Sequence, residues 1–277
     1  MVIGSSSPAQ AAGSAPPTIS ARSAGIRLAA LFGPAIFGVT AAGVALPDVA
    51  IAMDAQLSAA AWVLTAHALA LGAGTALFGR LSDSRGVRLS LIIGSVALAT
   101  GAVVCVVAPS LDVLVAGRFI LAAGSGAMSS SALVLAAAAE PAHRPRILAI
   151  VGAGMALFSA GSVLAGGMVT DWISWRVTLV LPALSLFAVP FSLREAAARP
   201  GSGRPVDFPG AAMLTAAAAA ALTLIRASSL DLGAAAVTMT ALLLIFATTG
   251  LVLWTAGPSC WSPVRRSASP PSPSLKS

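Results

Sequence analysis

Two basic residues stand where basic residues are costly. Arg118 and His67 each lie inside a long apolar run. A cation at the centre of a membrane span costs about 2.5–3.5 kcal/mol even on the mild insertion scale, so Arg118 has to face a cavity or a partner. Backbone carbonyls or the hydroxyls of Ser129–Ser131 are the partners within reach of such a position. His67 carries the side chain that titrates nearest neutral pH, although a lone histidine in a helix is more often a hydrogen-bonded packing residue. No carboxylate lies deep in an apolar run, and Asp48 stands near the end of the first one. His143 sits beside Arg144 in a polar connection and reads as solvated. Cys105, inside an apolar run, reads as a small buried apolar residue, and Cys260 belongs to a polar tail, so no disulfide is expected. There is no His/Cys cluster with metal-ligand spacing, no nucleophile with a base partner, and no glycine loop followed by Lys to cradle phosphate. The expected chemistry is therefore neither enzymatic nor ATP-driven, with no metal site and no cofactor.

The elements that hold these residues follow from composition. Of 277 residues, 57% are hydrophobic and 9% charged, against about 25% charged in an ordinary soluble domain. That deficit leaves no water-facing surface, and it implies an integral membrane protein. Tyrosine is absent while Ala and Gly abound, a bias that lets helices approach closely in lipid. Apolar runs of about 20 residues, the length that crosses a bilayer, recur at 27–47, 60–80, 89–108, 112–137, 146–169, 176–193, 209–226 and 234–254. The seventh is the weakest, because Ala216–Ala221 is alanine alone. Residues 1–25 and 255–277 are rich in Ser, Pro and small residues and are expected to be disordered. A signal peptide is the alternative for the first run, but its length favours a retained helix.

Charge placement sets the expected topology. With a cytoplasmic N-terminus, the inner segments hold Arg22, Arg27, Arg80, Arg85, Arg88, Arg144, Arg146, Arg194, Arg199, Arg204, Arg265, Arg266 and Lys276, which is 13 of the 16 cations. The outer side keeps Arg176 and Arg226, with Asp48, Asp54, Asp112, Asp171 and Asp231. This is a positive-inside pattern with both termini inside, and it accounts for the net charge of +7 without nucleic acid. A cytoplasmic linker is expected over 194–208.

The inner segment Gly79–Arg88 is the most specific stretch. It reads as a tight turn between the second and third helices, with Gly79 at a helix end and Gly86 supplying the positive φ of the reversal. Its pattern of Gly79, Leu81, Asp83, Gly86 and Arg88 resembles the signature loop of the major facilitator superfamily. The resemblance implies that this loop's carboxylate helps close the inner side against the other half of a transporter. Val44-Ala45-Leu46-Pro47, Trp62-Val63-Leu64-Thr65-Ala66, the outer Trp175-Arg176 that opens the sixth helix, and Asp207-Phe208-Pro209-Gly210 resemble segments of one branch, the fourteen-helix drug:proton antiporters. The likeness runs from about Ile26 to Arg226. There are departures. Gly38 and Gly43 stand where that branch usually has Asp and Asn, Leu121-Ala122 where it has Gln-Gly, and Ser162-Val163 where it has Gly-Pro before Gly166-Gly167.

By that resemblance Arg118 would act on the protonation of a neighbouring group, with His67, Asp48 or a residue of a second half as proton carrier. The fifth-helix glycines Gly152, Gly154, Gly161, Gly166 and Gly167 are expected to form a close-packing face. The expected fold is all-α and polytopic: a six-helix facilitator half over 26–193, a helix pair over 209–254 and a disordered tail. The expected function is proton-coupled efflux of small drug-like compounds. Partners would be membrane lipid, the substrate, and a second transporter half or a second copy. Two alternatives stand beside it. One is an inactive or regulatory fragment of a transporter cut short by a frameshift or stop, and the other is a carrier of a sugar or metabolite.

Overall fold

The computed structural model describes residues 21–197, 201, 208–225 and 233–256. Among them the chain is helical, with no strand. Seven helices among the described residues are long and apolar enough to cross a membrane. These are α1 (Ala21–Val44), α2 (Leu57–Arg85), α3 (Val87–Val107), α4 (Leu111–Ala137), α5 (Arg144–Trp172), α6 (Trp175–Ala197) and the last over Ala234–Leu253. That last helix extends to Ala256 and is labelled α8, after an 18-residue helix α7 over Phe208–Ile225. The protein is an integral membrane protein of the all-α polytopic class. Expectations for 1–20, 226–232 and 257–277, including Cys260, Arg265, Arg266 and Lys276, lie outside the described residues, as does most of the expected linker over 194–208.

The bundle is built around α4. Its apolar window is 72% buried, against 17% for α5, so α4 is the hub and α5 the periphery. Small residues make that possible. A Cβ on Gly124 would stand 2.4 Å from the Leu98 backbone nitrogen of α3, and one on Gly126 would stand 2.5 Å from that of Thr75 of α2. These contacts are backbone against backbone, so no side chain can move aside to admit a larger residue. α7 and α8 pair with each other, and α7 leans on α2.

Both α1 and α6 break their α-geometry midway. A 3-10 segment runs over Gly33–Gly38 with Pro34 in its first turn, and another over Leu181–Ala188 with Pro182 in its first turn. The two segments pack against each other. Proline removes a donor from the ladder, and the tighter 3-10 turns redirect neighbouring carbonyls. In lipid those carbonyls have to be satisfied by other side chains.

Three expectations need correction. The first helix begins at Ala21, inside the stretch read as disordered. Gly79–Arg88 is not a ten-residue turn: α2 stays helical through Arg85, and only Gly86, at φ 96°, reverses the chain before Val87. Nothing between Gly79 and Arg85 breaks a helix, and the charged residues simply carry α2 beyond the apolar layer. Gly79 is therefore within a helix rather than at its end. The fifth-helix glycines do not share one packing face. Cβ atoms on Gly154 and Gly166 would meet Ala29 and Ala41 of α1 at 2.6 and 2.8 Å, while Gly152, Gly161 and Gly167 have nothing within 4 Å.

Candidate functional site

α1, α2 and α4 enclose a half-open cavity of about 330 Å³. Ile36, Val39 and Thr40 contribute from α1, Leu71 and Thr75 from α2, and Ser129 and Leu133 from α4. The wall is apolar, with three hydroxyls and no charged side chain. Each hydroxyl already donates within its own helix: Thr40 Oγ1 to the Ile36 carbonyl at 3.1 Å, Thr75 Oγ1 to Leu71 at 2.7 Å, and Ser129 Oγ to Ser125 at 3.0 Å. The wall therefore offers shape and apolar surface, with hydroxyl oxygens left only as acceptors.

Beside this cavity lies a polar knot. Arg118, fully buried on α4, donates through one terminal nitrogen to the Gly38 carbonyl of α1 and through the other to the Leu179 carbonyl of α6. Gly38 ends the first 3-10 segment and Leu179 stands just before the second. Arg118 thus supplies the donors that the two broken helices lack, and it ties three helices at one point. Carbonyls are its partners. Ser129 and Ser130 instead bond to their own helix, and Ser131 Oγ has no partner. Arg118 Nε also has none.

His67 closes the other side of the knot. It is fully buried on α2, and neither ring nitrogen has a hydrogen-bond partner among the described residues. Its imidazole fills the space a side chain at position 38 would need: a Cβ there would stand 2.0 Å from Nε2. The structure thus brings Arg118 and His67 together around Gly38. Leu71 follows His67 by one helical turn and Val39 follows Gly38, so the knot adjoins the cavity wall. Asp48 is not part of this group. It is exposed in the first turn of the short helix Leu46–Ala52.

The predicted gating residues cluster at the other end of α2. Asp83 and Arg88 are exposed, Leu81 and Gly79 are half-buried, and Gly86 is buried. Ser90 Oγ donates to the Phe78 carbonyl at 3.2 Å and fixes the hairpin across the turn. Gly201 approaches the same turn so closely that a Cβ would lie 2.4 Å from the Ser84 carbonyl oxygen.

Trp175 and Arg176 form a second clamp at the opposite end. Ser174 caps α6 by accepting from the Arg176 backbone N–H at 3.2 Å. The Arg176 guanidinium stacks 4.5 Å above the Trp175 ring. It donates to the carbonyls of Val106 at 2.9 Å and Ala108 at 3.0 Å, at the C-terminal end of α3. A cation at a helix C-terminus meets both orphan carbonyls and the negative pole of the dipole.

Sequence reasoning missed one further tie. Arg27 of α1 pairs with Glu195 of α6, and both side chains are mostly buried. The signals were present: an acid among the basic residues that follow the sixth run, and prolines inside the first and sixth runs at Pro34 and Pro182.

Comparison with known proteins adds a family to this geometry. The family described as Major Facilitator Superfamily matches residues 28–264. The lincomycin resistance protein of Streptomyces lincolnensis is 28% identical over 65% of this chain and 38% of its own length. The puromycin resistance protein pur8 of Streptomyces alboniger is 28% identical over 62% of this chain and 35% of its own length. A multidrug resistance protein B homolog of Mycobacterium tuberculosis (strain ATCC 25618 / H37Rv) is 33% identical over 56% of this chain and 29% of its own length. The matched part of the chain thus spans between 29% and 38% of these relatives' own length.

Proposed function

Because the chain belongs to the major facilitator superfamily, we propose that it is one half of a secondary transporter that expels small drug-like compounds at the expense of a proton gradient. The observation that carries this reading is the 330 Å³ apolar cavity between α1, α2 and α4. A wall without charges, whose hydroxyl donors are already bonded to carbonyls, suits an amphipathic compound with few hydrogen-bond acceptors. A sugar needs many unpaired partners, and this wall does not offer them. The names of the relatives, all of them resistance proteins, agree with such cargo.

Alternating access in this family moves one half against another. The half-open cavity therefore works with a second half of such a transporter. The inner turn around Gly86, with Asp83 and Arg88 exposed beside it, faces that partner in this reading. The charge asymmetry supports placement in the cytoplasmic membrane with both termini inside.

The test is transport itself. The purified chain is reconstituted in proteoliposomes dense enough to allow pairing, with a pH step across the membrane and a cationic dye outside. Saturable dye uptake that collapses with a protonophore is expected. Absence of gradient-dependent uptake by a chain whose helicity is verified by circular dichroism would sink the proposal.

A further inference from the structure

We propose that the inner end of the seam between α3 and α6 binds an anionic phospholipid, with Arg88 and Arg194 on its phosphate and an acyl chain along the seam. This site lies apart from the cavity, and its test does not depend on cargo.

The register of the two helices brings the arginines together. At the outer end, Arg176 of α6 donates to the carbonyls of Val106 and Ala108, where α3 ends. From that clamp the helices run antiparallel, and residues 189–197 of α6 pack on α3. Arg88 lies 18 residues before Val106, and Arg194 lies 18 residues after Arg176. Both therefore stand at the other end of the seam. Packed helix axes are about 8–10 Å apart, a gap that two arginine side chains can close on one phosphate. Guanidinium groups meet phosphate oxygens through charge-assisted hydrogen bonds.

The chain itself has little to offer these two cations. Both are exposed, and neither has an ion-pair partner among the described residues. On the expected inner side, Asp83, Glu140, Glu195 and Asp207 stand against 13 cations. Glu195 is engaged by Arg27, Glu140 by His143, and Asp83 is engaged as well. The inner leaflet carries phosphate at the depth where the helices end, and anionic lipids attract basic residues there. Arg88 leaves the turn at Gly86 on α3 and Asp83 leaves it on α2. The turn can thus meet a second half through Asp83 while Arg88 serves the seam.

The apolar part of the seam fits the same ligand. Ile92 and Val96 follow Arg88 at steps of four, and Phe191 and Phe187 precede Arg194 at steps of three and four. Each set shares a face with its arginine. All four side chains are exposed, Phe187 by 76%. Val96 lies about 12 Å along α3 from Arg88, within the roughly 15 Å of hydrocarbon in one leaflet. Exposed apolar surface alone means only that lipid is near. Two cations at its inner edge select a headgroup with a net negative charge.

For the test, the whole chain in neutral-detergent micelles is titrated with phosphatidylglycerol or phosphatidylcholine. Retained lipid is counted by native mass spectrometry. Phosphatidylglycerol is expected to be retained at a concentration about 25-fold lower than phosphatidylcholine needs, and Arg88→Gln and Arg194→Gln should each weaken it about fivefold. The double variant should erase the preference while its circular dichroism stays that of the wild type. Arg22→Gln, at the start of α1, should change nothing. A phosphatidylglycerol with a photoreactive acyl chain should label α3 and α6, and the double variant should lose that labelling. Equal retention of the two lipids overturns the proposal, and so does an Arg22→Gln effect as large as that of Arg88→Gln. Displacement of the lipid by inorganic phosphate at the same concentration would mean a site for free anions, and the proposal fails. It fails too if the substitutions shift the monomer–dimer ratio and leave lipid retention unchanged, because the face then belongs to a second copy.

Discussion

Two arginines in this bundle do the same local thing with different consequences. Arg118 and Arg176 both place a guanidinium on backbone carbonyls of neighbouring helices. Arg176 does so at the rim, where α3 ends and its last carbonyls are orphaned by geometry. Its ring partner and carbonyl partners hold it in one place, and it is half-exposed. Arg118 does so in the middle of the bundle, where α1 and α6 are broken by 3-10 segments and cannot satisfy themselves. It is fully buried, retains an unpartnered Nε, and shares Gly38 with a histidine. The rim site is a cap and the central site is a knot. A cap closes one helix end, whereas a knot holds three helices whose relative position shapes the cavity.

The contrast can be broken by measurement, with unfolding in mixed micelles followed by the fluorescence of the five tryptophans. Arg118→Ala is expected to have the largest effect, a loss of about 3–5 kcal/mol, because two charge-assisted bonds disappear and two interior carbonyls are orphaned. Next comes Gly38→Ala. Its Cβ would collide with the imidazole, and a loss of about 1–3 kcal/mol is expected. Most of that loss should vanish in a His67→Ala background, since the two residues compete for one space. Arg176→Ala follows at about 1–2 kcal/mol, because water can reach the freed α3 carbonyls. If Arg176→Ala proves as damaging as Arg118→Ala, the division into cap and knot is wrong. The smallest effect is expected from Arg176→Lys, below about 1 kcal/mol, since a point charge still suits a helix C-terminus. Arg118→Lys should instead retain most of the alanine loss, because one ammonium cannot span carbonyls on two helices. Equal outcomes for the two lysine variants would remove the geometric half of the comparison.

Much of the architecture was legible from residue order. Seven of the eight apolar runs correspond to the spans found among the described residues, although α1 already begins at Ala21 and charged ends carry α2 as far as Arg85, while the run at 209–226 forms the helix Phe208–Ile225 that is not one of those seven. Gly86 was readable as the reversal point because a positive φ leaves glycine as the natural choice. The rest of Gly79–Arg88 misled, since charge marks the edge of the lipid and not the end of a helix. The glycines of α5 misled for a related reason. Composition tells how close a neighbour could come, not whether one is there, and Gly152, Gly161 and Gly167 have none. For Arg118, insertion cost demanded a partner, and carbonyls stood beside serines as candidates. Nothing in the chain order singled out Gly38, 80 residues away, or Leu179, 61 residues away.

What the amino-acid sequence determined alone is whatever the bilayer imposes locally. A span needs about 20 apolar residues with every backbone group bonded inside it, and loops sort their cations to one side. Those conditions yield the membrane class, most of the spans and the position of the turn at Gly86 with no knowledge of packing. Tertiary structure decided the rest. The partners of Arg118, the pairing of Arg27 with Glu195, the cap of Arg176 on α3 and the closeness of His67 to Gly38 all join residues far apart in the chain. Their choice depends on which helix faces meet. That is set by the fit of small residues across α2, α3 and α4, a property of the assembled bundle and of no single segment.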